Sequence, residues 1–248
     1  MKSVAAKLGV GLCLACGVTS CRPRIVPPAP VSGQADQIYA MVRAREDQVQ
    51  SLRARFSATV QQGETARRAE GILLIKKPDR FRLRLLSPFG FTVFDYVAQG
   101  AHARMELPLE GKQLVDDAIA AQSAFSPLDF RQAFLRGDAA FPGRCVPHVA
   151  EAEVVVECSN DTGVLREIRI ARATATVTRE ISFVDAQPRL IMTFDDYRSV
   201  GGMPLPFAIQ LSAPERRVTM QIALRTYEIN PVLADTLFDA ARAAGPAS

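Results

Sequence analysis

The side chains able to do chemistry are few in this chain, and their spacing argues against a catalytic centre. Among 248 residues there are two histidines, His102 and His148, and five cysteines. His102 alternates with apolar neighbours in Ala101-His102-Ala103-Arg104-Met105, the pattern of a strand with one face in water. His148 stands beside a turn-forming stretch, so both histidines read as surface residues rather than bases. Asp116-Asp117 reads as a helix cap and Asp195-Asp196 as the end of a strand. No nucleophile elbow, zinc-protease helix, phosphate loop or dinucleotide fingerprint occurs. No catalytic residue, metal or cofactor is therefore expected.

The cysteines have other uses. Lys2 and Lys7 precede an uncharged apolar run over 8–18, too short to span a bilayer, which needs roughly 20 residues. The run ends in Val18-Thr19-Ser20-Cys21, an aliphatic residue, two small ones and a cysteine. This resembles the lipobox of bacterial lipoproteins. It implies export, cleavage of a signal peptide over 1–20 and acylation of Cys21; the alternative is an ordinary secretory signal with an incidental cysteine. Arg22, not Asp, follows, which in the convention of diderm bacteria leaves the lipoprotein free to reach the outer membrane. Losing Lys2 and Lys7 lowers the formal charge from +4 to +2, too mild to call for nucleic acid. Cys13 and Cys16 leave with the signal, so Cys145 and Cys158 remain as an even pair in an oxidising compartment. Residues 147–156 read as two strands around a turn at 150–152, which brings the two cysteines side by side. A disulfide there contributes about 3 kcal/mol; the other reading is two buried thiols. Neither belongs to a C-x-x-C.

The remaining pattern supplies the frame. Residues 21–35 hold four prolines and no hydrophobic period, a lipidated tether reaching roughly 40 Å in polyproline geometry. A single domain is expected over 36–248. It starts with an amphipathic helix at Asp36, whose apolar stripe runs through Ile38, Met41, Val42, Val49 and Leu52. Beyond Phe56 the period drops to two. Arginine alternates strictly with apolar residues in Arg80-Phe81-Arg82-Leu83-Arg84-Leu85, and later strands are expected over 165–172, 174–184, 190–197, 205–213 and 218–228. About eleven strands joined by short turns make a mainly β fold with helices (α+β), a curved antiparallel meander. Two helices interrupt it, one over 116–125 and one after Ser126-Pro127-Leu128-Asp129, placed to cover the concave face. Asn230-Pro231 reads as the start of a closing helix.

Two blocks carry a resemblance. Asp79-Arg80-Phe81-Arg82-Leu83-Arg84-Leu85-Leu86-Ser87-Pro88-Phe89-Gly90 looks like the arginine- and leucine-rich strand and Pro-Leu-Gly turn of the LolB family of outer-membrane lipoprotein receptors. Pro127-Leu128-Asp129-Phe130-Arg131-Gln132-Ala133-Phe134-Leu135-Arg136-Gly137 is similar to that family's Pro-Leu-x-x-Leu-Arg-x-Trp-x-x-Gly, with Ala133 where the family has Trp. The resemblance implies an unclosed β-barrel with a helical lid, shared with the carrier LolA and the sensor RseB. It implies a protein that accepts acylated lipoproteins from a LolA-like periplasmic carrier and inserts them into the outer membrane. The partners so implied are the carrier, the acylated cargo and the membrane; a monomer is expected. The alternative is a lipid-sensing or scaffold lipoprotein of similar architecture.

The site residues follow. Ser87-Pro88-Phe89-Gly90 fits a type I turn, which puts Phe89 at its apex. With Pro88 and Gly90 it makes a candidate membrane-insertion loop; the other reading folds Phe89 back onto the strands. Phe91 reads as a core residue starting the next strand. Leu83, Leu85, Met105, Leu128, Phe130 and Phe134 are candidates for an acyl-chain cavity and its lid, or simply a dry core. Arg80, Arg82 and Arg84 read as a solvated face, or as a docking surface for an acidic carrier.

Overall fold

A computed structural model of the chain describes residues 34–100, 102–115, 127–135, 143–161 and 163–239. The signal, Cys21, all but the end of the tether, the 116–125 helix, Ser126 and Gly137 lie outside the described residues. The chain opens with α1 (Ala35–Asp47), then β1 (Ser51–Gln62), β2 (Thr65–Lys76), β3 (Arg80–Leu86), β4 (Thr92–Gln99), β5 (His102–Leu107) and β6 (Lys112–Val115). After α2 (Pro127–Phe134) come β7 (Arg144–Ala150), β8 (Glu153–Asn160), β9 (Gly163–Ala171) and β10 (Thr176–Val184). The last strands are β11 (Gln187–Val200), β12 (Met203–Ala213) and β13 (Val218–Ile229).

All thirteen strands belong to one antiparallel sheet, ordered β6-β5-β4-β3-β2-β1-β13-β12-β11-β10-β9-β8-β7. Two meanders are joined where β1 pairs with β13, so the sheet is not closed into a barrel. Its edges are β6 and β7. Sequence alternation found the sheet but counted about eleven of its thirteen strands; the four-residue β6 carries only a weak apolar pattern. The two edges are consecutive strands in the chain. Helix α2, which lies between them in sequence, packs on the concave face through Phe130, Ala133 and Phe134.

That face holds the core. Every second residue of the central strands points into it: Leu52, Ala54, Phe56 and Ala58 on β1, Leu73 and Ile75 on β2, Ile168 and Ile170 on β9. Ile38, Tyr39 and Val42 of α1 pack into the β7–β8 side, and Arg45 fixes the helix end by donating to the Ala175 carbonyl at 2.8 Å. The helix stops at Asp47; Val49 and Leu52 are buried but belong to the turn and to β1. Asp196 does not end a strand. It has a left-handed backbone (φ 51°) inside β11, whose register with β12 runs unbroken from Asp195 opposite Ala208 to Tyr197 opposite Pro206.

One glycine makes room for the core. A Cβ on Gly71 would lie 2.1 Å from the Phe56 ring, which is fully buried and stacks on Phe134 of α2 at 5.8 Å. Gly71→Ala is expected to push that ring towards α2 and cost about 1–3 kcal/mol, as overpacking does. Thermal melts check the loss. An unchanged Tm would mean that the Phe56 ring has a free alternative rotamer.

Residues 231–238 do not form the expected closing helix. They run as an extended segment ending in a 3-10 turn (Asp235–Phe238), and Leu233, Leu237 and Phe238 pack on Leu74 and Ile72 across the convex face of β2. Pro231 begins no helix here because the burial of those three side chains against the sheet, not local propensity, decides the path.

Candidate functional site

The β3–β4 turn is tight. Gly90 donates its N–H to the Ser87 carbonyl at 2.9 Å, Ser87 donates to the Phe91 carbonyl at 2.8 Å, and Phe91 donates to Ser87 Oγ at 3.2 Å. Gly90 supplies a φ of +84° that a side chain would oppose. These bonds use up the turn's backbone and leave Pro88, Phe89 and Gly90 exposed. Phe89 is 86 % exposed. Phe91 is not a core residue: it is 67 % exposed and belongs to the turn, since β4 begins at Thr92. The sequence carried the signal. Tyr96 and Phe94 face the core, so the alternation assigns Phe91 to the opposite parity.

Five of the six cavity candidates converge on the concave face. Leu83, Met105, Phe130 and Phe134 are buried in the main core, with Leu85 partly buried against it; Leu128 falls on α2. Phe134 stacks on Phe56 and on Tyr227 (6.4 Å), and Tyr227 on Phe207 (5.3 Å). Sequence reasoning missed Phe56, Tyr227 and Phe207. These residues pack together as a closed interior. A crevice between α1, α2 and β10–β12 holds about 40 Å³, among Val42, Phe134, Leu135, Val177, Tyr197 and Leu205. That volume admits a few waters. It lies at the end of the sheet opposite Phe89.

Polar bonds fasten α2 over this interior. Arg189 of β11 makes a forked pair with the buried Asp129 carboxylate, at 2.7 and 3.3 Å. That carboxylate raises the Arg189 pKa above its ordinary value. Gln132 donates to Glu180 Oε1 at 2.5 Å, and Arg166 donates to the same oxygen at 2.7 Å. Arg131 reaches across to the Pro78 carbonyl at 2.5 Å. Arg166 and Glu180 are buried on the concave face, Glu180 opposite Ile168 in the sheet. A charged pair in an apolar interior is costly unless well bonded.

The strand arginines are neither bare nor freely solvated. Arg82 and Arg84 both grip Asp95 of β4, at 2.6 and 2.8 Å, and Arg82 also donates to the Leu237 carbonyl at 3.0 Å. Arg80 and Lys76 pair with Asp235. The closing segment therefore lies over the face that alternation marked as wet. Burial alone would raise the Asp95 pKa, but the hydrogen bonds from Arg82 and Arg84 outweigh it and hold the carboxyl below its ordinary range. A depressed native pKa gives stabilisation that is complete above the unfolded value, about pH 4, and is lost as pH falls through the native one. Asp95→Asn is expected to cost about 1.5–3 kcal/mol at neutral pH, a deficit that shrinks on acidification. Urea melts at pH 7 and pH 3 test this; equal deficits at both would show that charge is not what Asp95 contributes.

Cys145 and Cys158 face each other across the β7–β8 pair and are bonded, S–S 2.00 Å. His102 and His148 are exposed. Among the described residues, no group of three His, Cys, Asp or Glu is placed to hold a metal.

No family model matches the chain, and no curated protein does. Solved structures do. A DUF1329 family protein from Desulfovibrio piger superposes with a TM-score of 0.61 at 12 % identity, covering 84 % of this chain and 98 % of that one. A LolA superfamily protein from Nitrosomonas europaea gives 0.58 at 10 %, covering 84 % and 98 %. A putative outer membrane lipoprotein-sorting protein domain from Vibrio parahaemolyticus gives 0.59 at 10 %, covering 82 % and 95 %. At such identities the likeness is one of fold: an antiparallel sheet not closed into a barrel, a LolA-like fold.

Proposed function

We propose, starting from that shared fold, that the chain is a lipid-anchored protein that binds the acyl chains of other lipoproteins beneath α2 and passes them into the outer membrane. The observation that carries this reading is the pairing of an apolar concave face, closed by a helix on a few polar bonds, with an exposed aromatic turn. Val18-Thr19-Ser20-Cys21 supports a lipid anchor at Cys21, and Arg22 supports the outer membrane as its destination. The donor would be a LolA-like periplasmic carrier. No covalent chemistry is required.

The energetics suit such a role. An acyl chain of some fifteen methylenes gains roughly 12 kcal/mol on leaving water, at about 0.8 kcal/mol each. A carrier must offer nearly as much apolar wall and still release its cargo. A crevice of 40 Å³ cannot take the chain, so α2 has to move. Moving it bares Phe130, Phe134, Phe56, Leu83 and Met105, and the acyl chain covers them again. One apolar occupant replaces another. The exchange is close to balanced, and the polar bonds of α2 set the difference.

A second reading, a lipid-sensing or scaffold lipoprotein of RseB-like architecture, draws support from the filled interior. Transfer separates the two. The chain carrying Cys21→Ala, mixed with a purified carrier–lipoprotein complex, is expected to retain the acylated lipoprotein in an affinity pull-down. A folded chain that leaves the cargo on a loaded carrier would favour the sensor or scaffold.

A further inference from the structure

Among the described residues nine large hydrophobic side chains are exposed, and six are valines. The other three, Phe89 (86 %), Phe91 (67 %) and Leu109 (72 %), lie in two turns at the same end of the sheet. Phe89 and Phe91 occupy the β3–β4 turn; Leu109 sits in the 3-10 turn joining β5 to β6 (Pro108–Glu110). Asp95 pairs with Glu106, and the same register carried on sets Thr92 level with Leu109. The β5–β6 turn also touches β4. The two apolar tips are therefore neighbours.

The other flank is basic. Strand β2 runs past the end of β3: Glu70 pairs with Leu86, so Arg68 and Arg67 stand level with Pro88 and Phe89. Both are exposed. One strand pair further on, Val218 pairs with Gln62, which sets the β12–β13 turn, with Arg216 and the exposed Arg217, beside the β1–β2 turn. The acids nearby are Glu64 and Glu215, fewer than the arginines, while Glu110 is engaged by Lys112 at 2.8 Å and Glu70 by Arg225 at 2.7 Å.

We propose that the β3–β4 and β5–β6 turns, with the β1–β2 and β12–β13 turns beside them, form a docking face for an anionic phospholipid surface. Phe89, Phe91 and Leu109 enter the lipid together, and Arg67, Arg68 and Arg217 meet the headgroup phosphates beside them. The inference rests on reading the Phe89 turn as a membrane-delivery loop and extends it to a second hairpin and a basic rim. One inserted aromatic leaves a protein free to tilt. Two neighbouring tips with cations on one flank fix its orientation, because apolar tips seek the acyl region while arginines stay at the charged interface.

The chain contains no tryptophan, so a single one reports cleanly. Phe89→Trp, Leu109→Trp and Val232→Trp would be made singly in the full chain; Val232 is 98 % exposed just beyond the end of β13, at the opposite end of the sheet. Each protein is mixed with vesicles of phosphatidylcholine alone, or of phosphatidylcholine with phosphatidylglycerol, carrying brominated chains. The expected result is quenching at 89 and 109, stronger with phosphatidylglycerol, and none at 232. Quenching at 89 without 109 would overturn the two-tip face while leaving the delivery loop standing. Quenching nowhere would remove both, and quenching at all three would show unspecific adsorption and overturn the face. Adding Arg67→Glu and Arg217→Glu to the Leu109→Trp chain is expected to weaken binding to phosphatidylglycerol vesicles at least about tenfold. Unchanged binding would overturn the basic rim.

Discussion

Phe89→Glu is expected to stop delivery of acyl cargo into the membrane while leaving uptake of that cargo unchanged. The reasoning starts from the turn's own bonds. Ser87, Gly90 and Phe91 close the β3–β4 turn through backbone groups and the Ser87 hydroxyl, and the Phe89 side chain takes no part. At 86 % exposure it packs on nothing that a glutamate would disturb, so folding and the concave face are untouched. Placing a carboxylate where the ring should enter lipid costs about 2.5–3.5 kcal/mol on insertion scales. Losing the ring forfeits about 2 kcal/mol of apolar burial as well. Together these slow a step passing through the inserted state by a hundredfold or more. The measurement is transfer of labelled lipoprotein from the loaded protein to vesicles, with loading measured separately. Delivery at the original rate would remove the membrane role of the turn and favour the sensor or scaffold.

Much of this arrangement was legible in the residues, and the failures have definite causes. Alternation is reliable where a strand buries one face, which is why β3, β9 and β13 could be read directly. It also places Arg166 on the same side as Ile168 and Ile170, inside the molecule. Alternation alone does not say that a charge on that parity is buried, because its partner cannot be found locally. Glu180 lies fourteen residues on, beyond a shift in pairing between Val177 and Arg179. The Arg84–Asp95 contact is hidden in the same way, by the irregularity at Leu85/Leu86 that moves the register by one. Each bulge is invisible to a strict period of two. The course of residues 231–238 over Leu74 and Ile72 had no local signal at all, since three scattered apolar residues specify burial but not against what. Phe89 was legible because a Ser-Pro-x-Gly turn is made by its own residues. Whether the concave face is filled or empty depends on the fit of side chains from ten or more strands, and no pattern in one dimension carries that.

The polar bonds under α2 support the second large effect. Arg189→Ala is expected to loosen the helix and to raise the affinity of the interior for an apolar dye by ten- to a hundredfold. The Asp129 carboxylate is buried in the closed arrangement and receives both of its Arg189 bonds there. Losing them takes two charge-assisted bonds from the closed arrangement, whereas swinging α2 outwards lets water bond the carboxylate instead. Hydrogen bonds to a charged group are worth about 1.5–3 kcal/mol, and each 1.4 kcal/mol is tenfold in the balance between closed and open. Arg189 is 40 % exposed and sits on β11 outside the helix, so its removal opens no hole in the apolar packing of Phe130 and Phe134. Asp129→Asn is the informative partner. It removes the charge that needs Arg189 and keeps a side chain of the same size, so the double variant with Arg189→Ala should bind dye much less well than Arg189→Ala alone. Dye fluorescence and hydrogen exchange over 127–135 would report the change together. If Arg189→Ala lowers the Tm without either signal, the whole domain loosens instead of α2 alone, and the route for acyl chains must be sought elsewhere than beneath that helix.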